Sequence, residues 1–230
     1  MRHYDTILFD MDDTLFDFRH SERESLRKTM LARSLEPTEE RLDRYREISE
    51  GLWRRFDRGE ISAEWLVAER FAQFARELGC RADPAAWNAE HAGGIGRECW
   101  LMPGAEPLCR ALFDAGCRLF IVSIGMGLSQ WSRLALSPMA PWFSGLFASH
   151  DLCARKPQSE FFQIVFERTG NPDLSRIVIV GDSLQTDIQG GINAGIDSIW
   201  FNPQGLPSPH SPSPNYEVRS LDEVSHIILH

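Results

Sequence analysis

The stretch that decides the fold runs from residue 6 to residue 14 and reads Thr-Ile-Leu-Phe-Asp-Met-Asp-Asp-Thr. Its first four residues form an almost continuous apolar run, as expected of a strand that is buried on both faces of a sheet. Asp10 and Asp12 follow at once, two positions apart, so both side chains start from the same side as the chain leaves the strand. Two carboxylates at one strand end suit a nucleophile and a general acid or base, with a hard cation reducing their repulsion.

Similar apolar runs recur later in the chain, at 119–122, 177–180 and 196–201. Helical patterns accompany them at 105–115, 127–136, 160–169 and 186–194, and a Pro- and Ser-rich loop at 203–214 precedes a short strand at 216–218 and a last helix from about Leu221. Strands that alternate with helices predict right-handed crossovers and an open, doubly wound parallel sheet, that is, a Rossmann-like α/β core. In such folds the ligand binds at the carboxyl ends of the strands.

Residues 17–95 break this alternation, because they carry only helical signals. Apolar residues recur there at helical spacing, namely Leu42, Tyr45, Ile48, Leu52 and Phe56, then Leu66, Phe71, Ala75 and Leu78. Thr38 is a predicted N-cap, and Gly59 and Gly79 are predicted helix ends. The pattern predicts an all-helical cap of residues 17–95, inserted after the first strand of a core that comprises 1–16 and 96–230. An insertion at that point would stand over the strand ends like a lid.

The composition is that of a globular protein, with 43% hydrophobic and 25% charged residues. The net charge of −9 would repel a nucleic-acid polymer or an anionic membrane surface, so we expect neither as a partner. The first residues run into the predicted strand without a cleavable leader, and no apolar stretch approaches the length of a membrane span. Five scattered cysteines without a CxxC pair are predicted to be buried free thiols. These features predict a cytoplasmic protein, and they leave open whether it is a monomer or a homodimer.

Further polar residues follow the other apolar runs. Ser123 stands beside backbone N–H groups at a helix start, an arrangement that favours a phosphate oxygen. Lys156 comes after the apolar stretch 146–148, and its ammonium could neutralise the charge of a nucleophile and a phosphate. Asp182 follows a buried run, with Asp187 one helical turn further, so Asp182 could supply a second carboxylate to a magnesium site.

Four motifs thus follow one another along the chain: residues 10–14, Ser123, Lys156, and Asp182 with Asp187. With these motifs in this order, the sequence resembles the haloacid dehalogenase superfamily over its whole length, in the subfamily with a helical cap after the first motif. The resemblance implies that Asp10 is the nucleophile of a phosphatase, that Asp12 protonates the leaving oxygen and later activates water, and that Lys156 stabilises charge. It implies a phosphate site formed by Thr14, Ser123, Ile124 and Lys156. It also implies Mg²⁺ as the cofactor, held by Asp10, the backbone carbonyl of Asp12, Asp182 and, directly or through water, Asp187.

Asp12 separates two reaction classes within this superfamily. The dehalogenases of the superfamily lack this second aspartate, because they do not cleave a phosphate ester and need no acid to protonate its leaving oxygen. The presence of Asp12 therefore favours hydrolysis of a phosphate ester over cleavage of a carbon–halogen bond.

The stretches 9–18 and 170–195 resemble the bacterial house-cleaning pyrimidine 5′-nucleotidases. The implied partner is a small phosphorylated metabolite, such as UMP, dUMP, dTMP or a non-canonical pyrimidine nucleotide. One departure is Ile124, where relatives usually carry Asn, so one polar contact near the phosphate or the cap is missing. A sugar-phosphate or phosphoglycolate phosphatase on the same scaffold is the alternative. A catalytically inactive binding module is the rival from another class, and the intact set of charged motif residues argues against it.

Overall fold

The structure is a computed structural model, and it describes residues 4–81, 83–125, 127–207 and 211–230, without the side chain of Asp57. The chain divides into two compact units. Met1–Phe18 and Cys99–His230 form the first unit, and Arg19–Glu98 form the second. The second unit is thus an insertion between two segments of the first.

A parallel sheet forms the centre of the first unit. Its strands are β1 (Thr6–Phe9), β2 (Arg118–Ser123), β3 (Phe143–Ala148), β4 (Ile177–Gly181), β5 (Asp197–Phe201) and β6 (Tyr216–Val218). Their spatial order is β3-β2-β1-β4-β5-β6, and every neighbouring pair is parallel. Because Phe9 at the end of β1 pairs with Ile121 of β2 and with Val180 of β4, three strands end side by side. The strand order reverses at this place, which is where doubly wound sheets bind their ligands.

The helices follow the strands along the chain. They are α1 (Phe18–Leu31), α2 (Glu39–Asp57), α3 (Ala63–Glu77), α4 (Pro84–Ile95), α5 (Ala105–Asp114), α6 (Gly127–Leu136), α7 (Ser149–Leu152), α8 (Ser159–Arg168), α9 (Gln189–Ala194) and α10 (Leu221–Leu229). Successive residues of β1 point to opposite faces of the sheet and are buried in different apolar clusters. Ile7 and Phe9 pack in one apolar cluster with residues of α5 and α10, whereas Leu8 packs in another with Phe161 and Phe162 of α8. The predicted Rossmann-like α/β core, with both sheet faces covered, is confirmed.

Strand β3 was not predicted, since the sequence pattern marked only its apolar second half, 146–148. The strand lies at the edge of the sheet, and its first half is only partly buried, with Ser144 exposed. An edge strand that faces solvent does not need the continuous apolar run of a central strand. Its register with β2 also shifts between Leu119 and Phe120, so this half departs from regular pairing.

The second unit consists of helices, as the sequence pattern indicates. Its core is an aromatic and aliphatic cluster that includes Tyr45 of α2, Phe71 and Phe74 of α3, and Trp87 of α4. Thr38 caps α2, because its hydroxyl accepts a hydrogen bond from the backbone N–H of Arg41 at 3.4 Å. Positive φ angles of 73° and 64° follow the ends of α2 and α3, at the two glycines predicted to end helices, Gly59 and Gly79.

The five cysteines are free, as predicted, but the expectation that they are buried is wrong in part. Cys109 and Cys117 are buried, whereas Cys153 is exposed. Cys153 ends α7 in a left-handed conformation with φ 53°, so it lies in a surface turn and not in a packed element.

The described parts of the Pro- and Ser-rich segment 203–214 contain neither helix nor strand, and residues 208–210 of this predicted loop lie outside the described residues. Within the ranges that the structure describes, no helix combines the length and the apolar character needed to cross a membrane.

Gly94 marks a close approach of α4 to α1 inside the second unit. A Cβ atom on Gly94 would lie 2.0 Å from Ser25 Oγ and 3.0 Å from Ser25 Cβ. Ser25 cannot easily turn away, because it is buried and its hydroxyl donates to the carbonyl of His91 at 2.7 Å. The neighbouring Gly93 has more room, since a Cβ there would meet only Arg97 Nη1, at 3.4 Å.

We therefore expect different effects on stability from two adjacent Gly→Ala substitutions. Gly94→Ala should lower the free energy of unfolding by about 1–3 kcal/mol, because it overpacks the contact between α1 and α4. Gly93→Ala should be neutral or raise it by up to about 1 kcal/mol, since alanine favours the helix. Urea unfolding followed by circular dichroism measures both, and equal stability of the two variants would contradict the prediction.

Candidate active site

The ammonium of Lys156 lies where β1, β2 and β4 end. Its Nζ donates to Asp10 Oδ1 at 2.6 Å, to Asp187 Oδ1 at 2.6 Å and to the carbonyl of Val122 at 2.8 Å. The side chain is 1% exposed, so these three acceptors use all three protons of a group that water does not reach. Removal of this lysine would leave buried carboxylates without their counter-charge.

Asp10 is fixed through its backbone and through both carboxylate oxygens. Its N–H donates to the carbonyl of Val180 at 2.8 Å, which ties the end of β1 to β4. The hydroxyl of Thr14 donates to Asp10 Oδ2 at 3.2 Å and accepts from the backbone N–H of Asp182 at 3.1 Å. Thr14 is fully buried, so it bridges the first and fourth strand ends from inside the core.

Asp187 reaches Lys156 because Gly181 leaves room for it. A Cβ on Gly181 would lie 2.2 Å from Asp187 Cγ, so any side chain at this position would displace the carboxylate. The second oxygen of Asp187 accepts from the backbone N–H of Ser183 at 3.1 Å. The helix predicted for 186–194 starts earlier, as a π-helical turn at Leu184–Ile188 that continues into α9. This wider turn carries Asp187.

Three carboxylates converge beside Lys156. Asp10, Asp182 and Asp187 each offer an oxygen, and these oxygens lie within 4.8 Å of one another. Oxygen ligands from several carboxylates are what a hard divalent cation such as Mg²⁺ prefers. One lysine does not neutralise three carboxylates, so the donor set and its excess charge both fit a divalent cation.

The proton affinities of this cluster reflect burial and crowding. Burial raises the pKa of Asp10 to about 7; the ammonium of Lys156 opposes the rise, and the carboxylates of Asp187 and Asp12 add to it. Burial also raises the pKa of Asp182 well above its usual range, with further contributions from Asp10 and Asp187. Burial alone would lower the pKa of Lys156, but Asp10 and Asp187 raise it above the ordinary lysine value. The lysine is therefore charged, and a cation would relieve the carboxylates.

The side chain of Asp12 belongs to a second group of contacts. Its Oδ1 accepts from Arg133 Nη1, and its Oδ2 accepts from Gln130 Nε2 at 3.0 Å. The same Nε2 donates to the hydroxyl of Ser123 at 2.8 Å. The side chains of Asp12 and Ser123 therefore both accept from the side-chain amide of Gln130. A metal contact of the Asp12 backbone carbonyl stays a prediction.

Sequence reasoning missed Gln130 and Arg133. It predicted the helix 127–136 that carries them, and the signal was present in their spacing: the two polar residues lie three apart and share a face with the buried Leu134. Ile124 follows Ser123 and is half-buried. The predicted roles of Ser123 and Ile124 in phosphate binding stay predictions.

Comparison with known proteins agrees with this fold. A family model for haloacid dehalogenase-like hydrolases matches residues 4–195. The HAD-hydrolase YfnB of Bacillus subtilis is 36% identical, with coverage of 99% of this chain and 97% of YfnB. A crystal structure of YfnB bound to magnesium matches with a TM-score of 0.94, at 35% identity and with 98% of this chain and 99% of that chain covered.

Two further relatives carry the name pyrimidine 5′-nucleotidase. PynA of Streptococcus pneumoniae is 30% identical, with 96% of this chain and 93% of PynA covered. YjjG of Escherichia coli is 31% identical, with 98% of each chain covered. The matched family model spans most of the chain, and the strand-end carboxylates and the buried lysine lie within it. The chain belongs to the haloacid dehalogenase-like hydrolases.

Proposed function

We propose that the protein is a magnesium-dependent phosphomonoester hydrolase that works through a covalent aspartyl-phosphate on Asp10. The observation that carries the proposal is the contrast between Asp10 and Asp12, two residues apart. Asp10 shares its surroundings with an ammonium and two carboxylates, whereas the carboxylate of Asp12 lies among hydrogen-bond donors. Two carboxylates in different environments suit two different roles in one reaction.

In the first step, an oxygen of Asp10 attacks the phosphorus of the ester. The bond from phosphorus to the ester oxygen breaks, and Asp12 gives that oxygen a proton, so that an alcohol leaves. In the second step, a water oxygen attacks the phosphorus of the aspartyl-phosphate. Asp12 takes the proton of the water, the bond between Asp10 and phosphorus breaks, and inorganic phosphate leaves.

Other residues support these steps by orientation and charge. Lys156 balances the charge of Asp10 and of the transferred phosphoryl group, and Thr14 holds the second oxygen of Asp10. Ser123 and the backbone at Ile124 bind phosphate oxygens in this proposal. Mg²⁺ would be held by Asp10, Asp182, the backbone carbonyl of Asp12 and, directly or through water, Asp187, and when bound it would supply Lewis-acid polarisation of a phosphate oxygen.

We propose a pyrimidine nucleoside 5′-monophosphate as the substrate. The support is the full-length similarity to two proteins named pyrimidine 5′-nucleotidase. The core motifs determine the reaction and not the leaving group, so the substrate class rests on this similarity. A carbon–halogen hydrolase is disfavoured because it has no use for an acid at Asp12. An inactive binding module is disfavoured because it would keep the costly buried charges without using them.

Phosphate release with and without Mg²⁺ tests the reaction and the substrate together. The substrates are pyrimidine and purine monophosphates, phosphoglycolate and sugar phosphates. We expect Mg²⁺-dependent turnover that favours UMP, dUMP or dTMP. Asp10→Asn should lower kcat on the order of 10³-fold or more, because it removes the nucleophile.

Asp13→Asn is the matched control, since it makes the same chemical change in the same loop. Asp13 has a φ of 60°, a conformation that asparagine tolerates well, so this variant should keep its activity within about threefold. Turnover confined to sugar phosphates or phosphoglycolate would keep the mechanism and overturn the substrate. No phosphate release from any ester would overturn the proposed function.

The crowded carboxylates predict how Mg²⁺ affects stability. Mg²⁺ should raise the Tm of the wild-type protein by several degrees, because it binds the folded cluster and not the unfolded chain. Asp182→Asn should raise the Tm of the metal-free protein, since one of the mutually repelling carboxylates is gone, and should abolish the increase that Mg²⁺ causes. Asp114→Asn, on the exposed end of α5, changes the net charge equally and should keep that increase. An equal Mg²⁺ effect in Asp182→Asn and wild type would contradict this site.

The pH dependence follows from the raised pKa of Asp10. Between the ordinary value of 3.8 and about 7, folded metal-free protein holds a proton that the unfolded chain has lost. The stability of the metal-free protein should therefore fall as the pH rises through this window, and Mg²⁺ must displace the proton to bind. We expect a larger Mg²⁺-induced increase in Tm at about pH 8 than at about pH 5.5. Differential scanning fluorimetry at both pH values measures it, and a pH-independent increase would refute the coupling.

A further inference from the structure

Two residues of α6 hold the carboxylate of Asp12 by both of its oxygens. Arg133 Nη1 donates to Oδ1, and Gln130 Nε2 donates to Oδ2 at 3.0 Å. Because each oxygen has its own donor, rotation about the Cβ–Cγ bond of Asp12 would break both contacts. Two residues of α6 therefore fix the orientation of this carboxylate, although α6 contains none of the site residues predicted from the sequence.

The two helix residues also hold each other in place. Arg133 Nη1 donates to Gln130 Oε1 at 3.1 Å, and Gln130 Nε2 donates to Ser123 Oγ at 2.8 Å, so both ends of the amide are engaged. Both side chains are buried, with 4% of Gln130 and 1% of Arg133 exposed. Gly125 makes room for the amide, because a Cβ there would lie 2.8 Å from Gln130 Nε2.

Aromatic rings surround the guanidinium of Arg133. Its Cζ lies 5.1 Å from the ring centre of Phe16 and 5.6 Å from that of Phe18. Among the described residues, Nε and Nη2 of Arg133 have no hydrogen-bond partner. Buried donors without partners cost stability, so contribution to the fold is a weak reason for a buried arginine here. Its contact with Asp12 is the stronger reason.

We infer that Arg133 and Gln130 are positioning residues that direct Asp12 towards the leaving oxygen, an inference that rests on the function proposed above. In the first step, the proton of Asp12 goes to the ester oxygen as its bond to phosphorus breaks. In the second step, Asp12 takes a proton from the attacking water. Both transfers need a carboxylate oxygen at one defined place beside the phosphorus, and the two donors of α6 provide that constraint.

The leaving group of the substrate separates this role from a structural one. The alkoxide of a nucleotide needs a proton as it departs, whereas p-nitrophenolate departs without one. The comparison uses kcat/KM, which reports the steps up to the departure of the leaving group. Arg133→Met should lower kcat/KM for UMP by about 100-fold and change that for p-nitrophenyl phosphate by less than about threefold.

Three further variants complete the experiment. Gln130→Met removes one of the two contacts with Asp12 and also the donor to Ser123. It should therefore lower kcat/KM for both esters through Ser123, and for UMP by a further, smaller factor than Arg133→Met. Arg133→Lys keeps a charged donor and should restore part of the activity on UMP. Arg118→Met is the matched control: this arginine donates to Thr6 Oγ1 and to the carbonyl of Thr169 at the start of β2, so both esters should be cleaved as by the wild type.

The inhibition constant of inorganic phosphate serves as a second measurement. It should stay unchanged in Arg133→Met, because a positioning residue for Asp12 does not bind the phosphate. Equal losses on both esters, or no loss on either, would overturn the inference while the proposed function stands. If Arg133→Met does not fold, the ratio of the two losses in Gln130→Met decides, because the lost donor to Ser123 affects both esters equally and the lost contact with Asp12 affects UMP. A wild-type protein that releases phosphate from none of the esters, sugar phosphates and phosphoglycolate included, would refute the proposed function and this inference with it.

Discussion

The ammonium of Lys156, almost completely buried, donates to two carboxylates and one strand-end carbonyl, and the other parts of the site are arranged around it. A buried charge of this kind is tolerated only when its partners lie at hydrogen-bond distance. That requirement constrains the sheet, because β1, β2 and β4 must end side by side for Asp10, Val122 and Asp187 to meet one Nζ. It also constrains Gly181, whose missing side chain leaves the space for Asp187.

Asp10 and Asp12 are neighbours in the sequence and yet have different surroundings. Asp10 faces Lys156 and the carboxylates that can hold a cation, whereas the carboxylate of Asp12 faces an arginine and an amide. This separation gives a physical basis for the proposed division between nucleophile and proton carrier. A single loop of the chain supplies both carboxylates. Their surroundings differ because Lys156 contacts Asp10, whereas Gln130 and Arg133 of α6 contact Asp12.

The sequence predicted the core of the site because that core depends on local order. A carboxylate that follows a buried strand must lie at the carboxyl edge of the sheet, so Asp10 and Asp182 could be located from the pattern alone. The spacing of Gln130 and Arg133 places them on one helix face, but it does not say that this face meets Asp12, because the direction of a helix face depends on how the helix packs against the sheet. β3 was missed for a related reason, since an edge strand is only partly buried and lacks a continuous apolar run. The substrate was inferred only from resemblance, because the core motifs carry no information about the leaving group.

The contacts of Lys156 and Arg133 join parts of the chain that are far apart in sequence. Asp10 and Lys156 are separated by 146 positions, and Asp12 and Arg133 by 121. The entropic cost of closing such long loops must be met before these contacts contribute any energy, so the parallel sheet has to assemble first. During synthesis, the first aspartates leave the ribosome long before their cationic partners. The incomplete chain therefore carries Asp10 and Asp12 without their cationic partners, and the candidate site is complete only in the finished fold.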